Sequence, residues 1–154
     1  MNANPKEVLA KEFSDVLEHM AFLFSEPVPL ERASPPPEGL LVSLAFSGPF
    51  RGTLRLAVSV QMSVEMAANL LGVEAEEAAD PKLAHDAVKE LLNVTCGHVL
   101  TSLAGTEPVF SLTTPQVEDL TTAAWQSLAA GEHVVAFVVE DSTALLGLDV
   151  GAAT

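Results

Sequence analysis

The sequence predicts an α+β fold of the broad α/β class, with a mostly antiparallel sheet and long helices packed on one side. Segments with apolar residues at helical spacing are interspersed with segments in which apolar and polar residues alternate, as in strands. Short turns join successive strand segments, which favours antiparallel pairing. The chain has 154 residues, 49% hydrophobic and 18% charged, which suits a single domain over 1–154 with a proper core.

The first third of the chain predicts a helix followed by a hairpin. Apolar residues at helical spacing predict an amphipathic helix over 6–24. Prolines are frequent in 25–38, so this stretch is predicted to be a connecting loop that cannot form a regular helix. Alternating apolar residues then predict strands over 40–46 and 54–60, with a turn at 47–49 between them.

The rest of the chain predicts three helices and three strands. Gly72 is typical of a position just after a helix, and Pro81 of a first helical turn. In order, the predicted elements are a helix over 63–71, an acidic loop or short helix over 74–80, a long helix over 81–103, a strand over 109–112, a helix over 123–130, and strands over 133–139 and 144–150 that turn at 141–142.

The composition disfavours several classes of function. A formal net charge of -14 with only seven Lys and Arg argues against binding nucleic acid or an anionic membrane surface. No apolar run approaches the roughly 20 residues of a membrane span, and residues 1–6 lack the layout of a secretory signal. Cys96 is the single cysteine, so neither an internal disulfide nor a thiolate metal cluster is expected. These features predict a cytoplasmic protein.

The most informative stretch is a polar stripe on the predicted long helix. Asp86, Glu90, Asn93 and Gly97 fall within a sector about 60° wide, because successive residues turn by about 100°. Asn prefers caps and turns, and Gly in mid-helix costs up to about 1 kcal/mol relative to Ala. A carboxylate and an amide on a flattened helix face are suited to insertion into another protein's cleft. Lys89, beside Glu90, joins Asp86 and Gly97 as a predicted partner-binding residue.

Simpler interpretations of the same residues remain open. A Glu followed by an Asn three residues later is most often a solvated helix face. Asp86 and Glu90 together would offer a metal ion only two side chains, and no second carboxylate cluster completes the set. Cys96 and His98 point about 160° apart on a helix, so Cys96 is predicted to face the core. Trp125 is likewise predicted to be packed.

The motif carries a family resemblance. The stretch Glu90-Leu-Leu-Asn93-x-x-x-Gly97, followed by Thr101, Leu103 and Phe110-Ser-Leu-Thr-Thr-Pro115, resembles the CheX-type members of the CheC/CheX/FliY group. Asp15-Val-Leu-Glu-His-Met-Ala-Phe22 is similar to the first helix of such domains. These proteins are phosphatases of phosphorylated CheY-like response regulators. The resemblance spans about residues 7–150 and implies a CheC/CheX-like fold.

The resemblance implies a role for each of two residues. Glu90 would form a salt bridge with a lysine of the response regulator, and Asn93 would orient a water for in-line attack on the aspartyl phosphate. The regulator would supply the phosphoaspartate and its Mg²⁺, so no cofactor is expected on this chain. CheX relatives dimerise, which implies a homodimer. CheC relatives commonly carry two Glu-x-x-Asn copies, and the single copy here favours the CheX type.

The chemistry available agrees with a catalyst that assists its partner. The sequence offers no nucleophile motif, metal cage or basic phosphate clamp. A hundredfold acceleration of a hydrolysis already under way needs only about 2.7 kcal/mol, which an oriented water can supply. Two alternatives stay open at this level: a module that binds a regulator or kinase without hydrolysis, and a homodimeric interaction domain.

Overall fold

The computed structural model describes residues 3–151. Its helices are α1 (Pro5–Ala21), α2 (Val60–Leu71), α3 (Ala75–Ala78), α4 (Pro81–Ala104) and α5 (Thr122–Ala129), and a 3₁₀ helix covers Leu30–Arg32. Its strands are β1 (Ser25–Val28), β2 (Gly39–Ser47), β3 (Arg51–Ser59), β4 (Ser111–Leu112), β5 (Gln116–Asp119), β6 (His133–Val139) and β7 (Ser142–Gly151).

One antiparallel sheet organises these elements. The strand order is β1-β6-β7-β3-β2-β4, and β5 pairs with β2 beside β4. The predicted α+β fold with a mostly antiparallel sheet is therefore confirmed. The prediction of a single domain over 1–154 includes residues 1–2 and 152–154, which lie outside the described residues.

The two faces of the sheet are covered by different helices. Alternate residues of β2, from Leu40 to Phe46, point into a core shared with α1, α2 and α4. This arrangement confirms the prediction that the long helices pack on one side. On the opposite face, Leu41 of β2 packs in a separate, smaller cluster with Trp125 and Leu128 of α5. Trp125 is buried, as the sequence predicts.

Local capping residues set the helix ends. Ser59 accepts a hydrogen bond from the backbone N–H of Met62 at 3.0 Å, so α2 begins three residues before the predicted start. Gly72 ends α2 in the left-handed conformation, with φ of 67°, as predicted. Asp80 caps α4 by accepting from the backbone N–H of Lys82 at 3.0 Å, and Pro81 occupies the first turn.

The stretch predicted as a Pro-rich loop, 25–38, is only partly irregular. It contains β1 and the 3₁₀ helix, so the prediction of a loop is wrong for these residues. Among the strands described, β1 lies at the edge of the sheet and pairs with β6, with Pro27 opposite Phe137. Proline is tolerated at a sheet edge because its missing N–H need not join a ladder on the outer side. α1 also ends earlier than predicted, at Ala21, because Phe22 takes a left-handed conformation with φ of 52°.

The predicted strand over 109–112 is shorter than expected, and a second strand follows it. β4 covers only Ser111–Leu112, and β5 was not predicted. Both strands pair with β2, and the residues 113–115 between them interrupt the ladder. Pro115 lies in this interrupted stretch and has no backbone N–H to donate to a neighbouring strand. The predicted helix over 123–130 is confirmed as α5.

Cys96 lies on the apolar side of α4 and is 1% exposed, which confirms its prediction as a core residue. Burial raises the pKa of its thiol to about 12, because a thiolate is poorly solvated in the core. We expect native protein at pH 8 to react with a thiol reagent about a hundredfold more slowly than protein unfolded in urea.

The same shift gives the direction of the pH dependence. Because the folded pKa of Cys96 lies above that of the unfolded thiol, its contribution to stability is lost as the pH rises from about 9 towards 12.

A Cys96→Ala variant provides the blank for the thiol assay. Rapid modification of the native wild-type protein would contradict this placement of the side chain.

Candidate active site

Helix α4 presents the predicted polar stripe on its solvent side. The side chains of Asp86, Glu90 and Asn93 are exposed, whereas Lys89 is half-buried. The opposite side of the helix is buried against the sheet and the other helices. The buried residues of α4 are Ala84, Ala87, Val88, Leu91, Leu92, Thr95, Cys96, Val99, Leu100 and Leu103.

The stripe forms one wall of an open cleft with a volume of about 450 Å³. Asp86, Lys89, Glu90 and Asn93 line it from the helix, and residues 112–115 line it from the sheet. The structure thus brings four of the five predicted site residues into one cleft. The fifth, Gly97, lies one turn further along the same stripe and outside the lining of the cleft.

The second wall was not assigned a role from the sequence. Residues 113–115 leave the sheet between the two short strands, and Thr113 holds them to β2 through two hydrogen bonds. The Thr113 backbone N–H donates to the carbonyl of Ala45, and the backbone N–H of Ala45 donates to Thr113 Oγ1, both at 2.9 Å. The available signal was the Thr-Thr-Pro sequence directly after a strand, which marks an interruption close to a sheet edge.

The charges in the cleft remain available to a partner. The ion pairs found within residues 3–151 involve the cations Lys11, Arg55 and His133, all outside the cleft. The described side-chain hydrogen bonds of α4 involve Asp80, Thr95 and Ser102. The cleft therefore offers two open carboxylates for a cation, and an open amide that can both donate to and accept from a bound water.

Gly97 has no packing role inside the described chain. A Cβ atom built at this position would meet no atom within 4 Å. The residue sits in mid-helix, where Gly is unfavourable relative to Ala. The fold itself therefore does not require glycine here, and a flat helix face is the property that Gly97 provides.

Other potential sites receive no support from the described residues. Within 3–151, no three His, Cys, Asp or Glu side chains are arranged so that they could hold a metal ion. None of the helices in this part of the chain combines the length and apolar character that a membrane span requires.

A comparison of the sequence with known protein families assigns this chain to one of them. Residues 40–138, more than half of the sequence, match the family described as "Chemotaxis phosphatase CheX". This chain belongs to the CheX family. No curated protein matches the sequence significantly. The general role of a CheX-family protein is that of a chemotaxis phosphatase.

Solved structures agree with the family assignment at the level of the fold. CheX from Vibrio vulnificus aligns with a TM-score of 0.74 and 18% identity over 98% of this chain and 99% of its own. A CheX–CheY–BeF₃–Mg²⁺ complex from Borrelia burgdorferi aligns with a TM-score of 0.67 and 15% identity, over 96% of this chain and 97% of its own. A CheC-like superfamily protein from Shewanella sp. PV-4 aligns with a TM-score of 0.65 and 20% identity, over 99% of this chain and 100% of its own. The predicted CheC/CheX-like fold is confirmed.

The free space around Gly97 leads to a prediction about stability. Replacing Gly97 with Ala in this CheX-family protein should raise the free energy of unfolding by about 0.5–1 kcal/mol, because the helix backbone loses less entropy on folding. Urea denaturation monitored by circular dichroism measures the change. Gly72→Ala is the matched control, expected to destabilise because the residue has a φ of 67°. A destabilised Gly97→Ala protein would show that the glycine has a structural role.

Proposed function

We propose that this CheX-family protein accelerates hydrolysis of the aspartyl phosphate on a CheY-like response regulator. The observation that carries the proposal is the pair Glu90 and Asn93, both exposed and three residues apart, in one open cleft of α4. The CheX relative from Borrelia burgdorferi that shares the fold was solved in complex with CheY, BeF₃ and Mg²⁺, which supports a CheY-like partner.

In the proposed mechanism Glu90 docks the partner and Asn93 orients the attacking water. Glu90 forms an ion pair with a lysine of the regulator and fixes the position of α4 over the phosphorylated site. Side chains three residues apart on a helix lie about 5–6 Å from each other, so docking through Glu90 places Asn93 close to the phosphoryl group. The Asn93 carbonyl oxygen accepts a hydrogen bond from a water, and its NH₂ group donates to the phosphate. The water is then held in line with the bond that breaks.

The remaining chemistry belongs to the regulator. The regulator provides the aspartyl phosphate, and the Mg²⁺ that it binds neutralises charge on the phosphoryl oxygens. Among the residues that line the cleft, Lys89 is the only cation, so the cleft does not form a basic clamp around the phosphate. Orientation of one water is therefore the main contribution of this chain, and a hundredfold effect needs about 2.7 kcal/mol.

Three further residues are proposed as contacts to the regulator. Asp86 and Lys89 line the cleft beside Glu90, where they can pair with charges of the partner. Gly97 lets the partner's surface approach the backbone of α4.

The homodimer implied by the family resemblance is part of the same proposal. Multi-angle light scattering of the full chain tests it.

Replacing Asn93 with Ala should abolish the acceleration, because the variant can no longer hold the water. The substitution is at an exposed position, so stability should change little. Phosphate release from a phosphorylated CheY-like receiver of the same genome, measured with Mg²⁺ present, gives the rate. His98→Ala, at an exposed position on another side of α4, is the matched control and should keep the wild-type rate.

The outcome of this assay separates the candidate functions. Retained acceleration by the Asn93→Ala protein would overturn the assigned role of the amide. If the wild-type protein binds the phosphorylated receiver without shortening the lifetime of its phosphate, the chain is a binding module. If it neither binds nor accelerates any receiver of that genome, the interaction-domain alternative replaces the proposal.

Replacing Glu90 with Gln should weaken docking by about tenfold while leaving the chemical step less affected, because an ion pair is lost but the amide at Asn93 remains. The expected signature is a higher KM for the phosphorylated receiver and reduced sensitivity of KM to salt. Glu107→Gln, an exposed acid beyond the end of α4, is the matched control. A fall in kcat at unchanged KM would show that Glu90 acts in the chemical step and does not dock the partner.

A further inference from the structure

A second exposed surface lies where α1, β1 and the β6–β7 turn meet. Phe22 and Phe24 are 69% and 70% exposed, whereas Leu23 between them is buried. Phe24 also lines a cavity of about 280 Å³ with Glu26, Val138 and Glu140. Contiguous exposed apolar area on a soluble protein marks an interaction surface.

Two acidic residues, Glu26 and Glu140, line this cavity beside Phe24. Burial raises the pKa of Glu65 on α2, and the charges of Glu140 and Asp141 on the turn raise it further. Asn69, one helical turn after Glu65, donates a hydrogen bond of 2.8 Å to the carbonyl of Ala21, which connects this side of α2 to the end of α1.

We call this region the Phe24 surface and define it by five residues: Phe22, Phe24, Glu26, Glu65 and Glu140. The ion pairs found within residues 3–151 do not include any of its three acids. The surface therefore combines apolar area with negative charge that no described side chain neutralises.

The backbone indicates that the side chain of Phe22 is not required by the fold. Phe22 and Glu140 have φ angles of 52° and 54°, and they are the two non-glycine residues with positive φ in the part of the chain described. Glycine is the residue favoured at such a helix end, because other side chains are strained there. A bulky, exposed Phe at this position is unfavourable for folding alone, and strained positions are enriched at binding sites.

We propose that the Phe24 surface binds a positively charged amphipathic helix of a partner protein. The apolar side of that helix covers Phe22 and Phe24, and its Lys or Arg residues pair with Glu26, Glu65 and Glu140. Charge complementarity identifies this occupant, since the chain carries a net charge of -14 and the surface has no cation of its own to offer.

Two other occupants fit the surface less well. A second copy of the chain would bring the same acids against themselves in a symmetric contact, which is unfavourable. An added strand would have to pair with the outer edge of β1, which is four residues long and contains Pro27. Proline removes a backbone donor and protects a sheet edge from such pairing. The surface therefore engages its partner through side chains.

A synthetic helix of Leu and Lys at amphipathic spacing, labelled with fluorescein, serves as the probe. Its binding to the full chain is measured by fluorescence anisotropy. We expect Phe24→Ser and Glu140→Lys each to weaken binding by about tenfold or more. Phe22→Gly should weaken binding as well, while the protein remains at least as stable as the wild type, because glycine adopts a φ of 52° without strain.

The controls separate this site from general attraction to an acidic protein. Glu74→Lys makes the same charge change at an exposed position between α2 and α3, and it should leave binding unchanged. Equal weakening by Glu74→Lys and Glu140→Lys would overturn the proposal, since it would show attraction to net charge alone. A change of mass in light scattering for Phe24→Ser would also overturn it, in favour of a homodimer contact. Phosphate release by Phe24→Ser should match the wild type, because the surface shares no residue with the α4 cleft.

Discussion

The burial of one side of α4 is the constraint on which the rest of this structure depends. Ten of its residues are buried, and leucines such as Leu91 and Leu92 each contribute about 1.5–3 kcal/mol when they leave water. That side fixes the rotation of the helix about its axis, so Glu90 and Asn93 must face the solvent. Caps at Asp80 and Gly105 fix its length. The position of the polar stripe is thus a consequence of core packing.

The two proposed binding surfaces contain residues that the fold alone does not favour. Asn93 and Gly97 lower the helix propensity of α4, yet neither has a compensating contact that the fold requires. Phe22 adopts a backbone conformation that suits glycine and exposes an aromatic ring. Such conflicts between local preference and observed residue are expected at sites that meet other molecules. In this CheX-family protein they occur at two separate surfaces.

The cleft of α4 offers two carboxylates, one amide and one cation, which is a small apparatus for the proposed reaction. This set of groups is sufficient only if the partner brings the phosphate and its metal, because the cleft itself contributes the orientation of a water and little else. A rigid helix such as α4 presents its exposed side chains to a partner with little loss of conformational entropy on binding.

The sequence alone determined the long helices, the central strands and the composition of the polar stripe, because helical and strand periodicities report which side chains are buried. It also determined that α2 ends at Gly72 and that Pro81 lies in the first turn of α4, because these effects are local. Only the tertiary structure decided that β1 and β5 are strands, since short edge strands are stabilised by the neighbours they pair with. It likewise decided that residues 112–115 form the second wall of the cleft. That contact joins segments distant in the chain, and no local pattern specifies it.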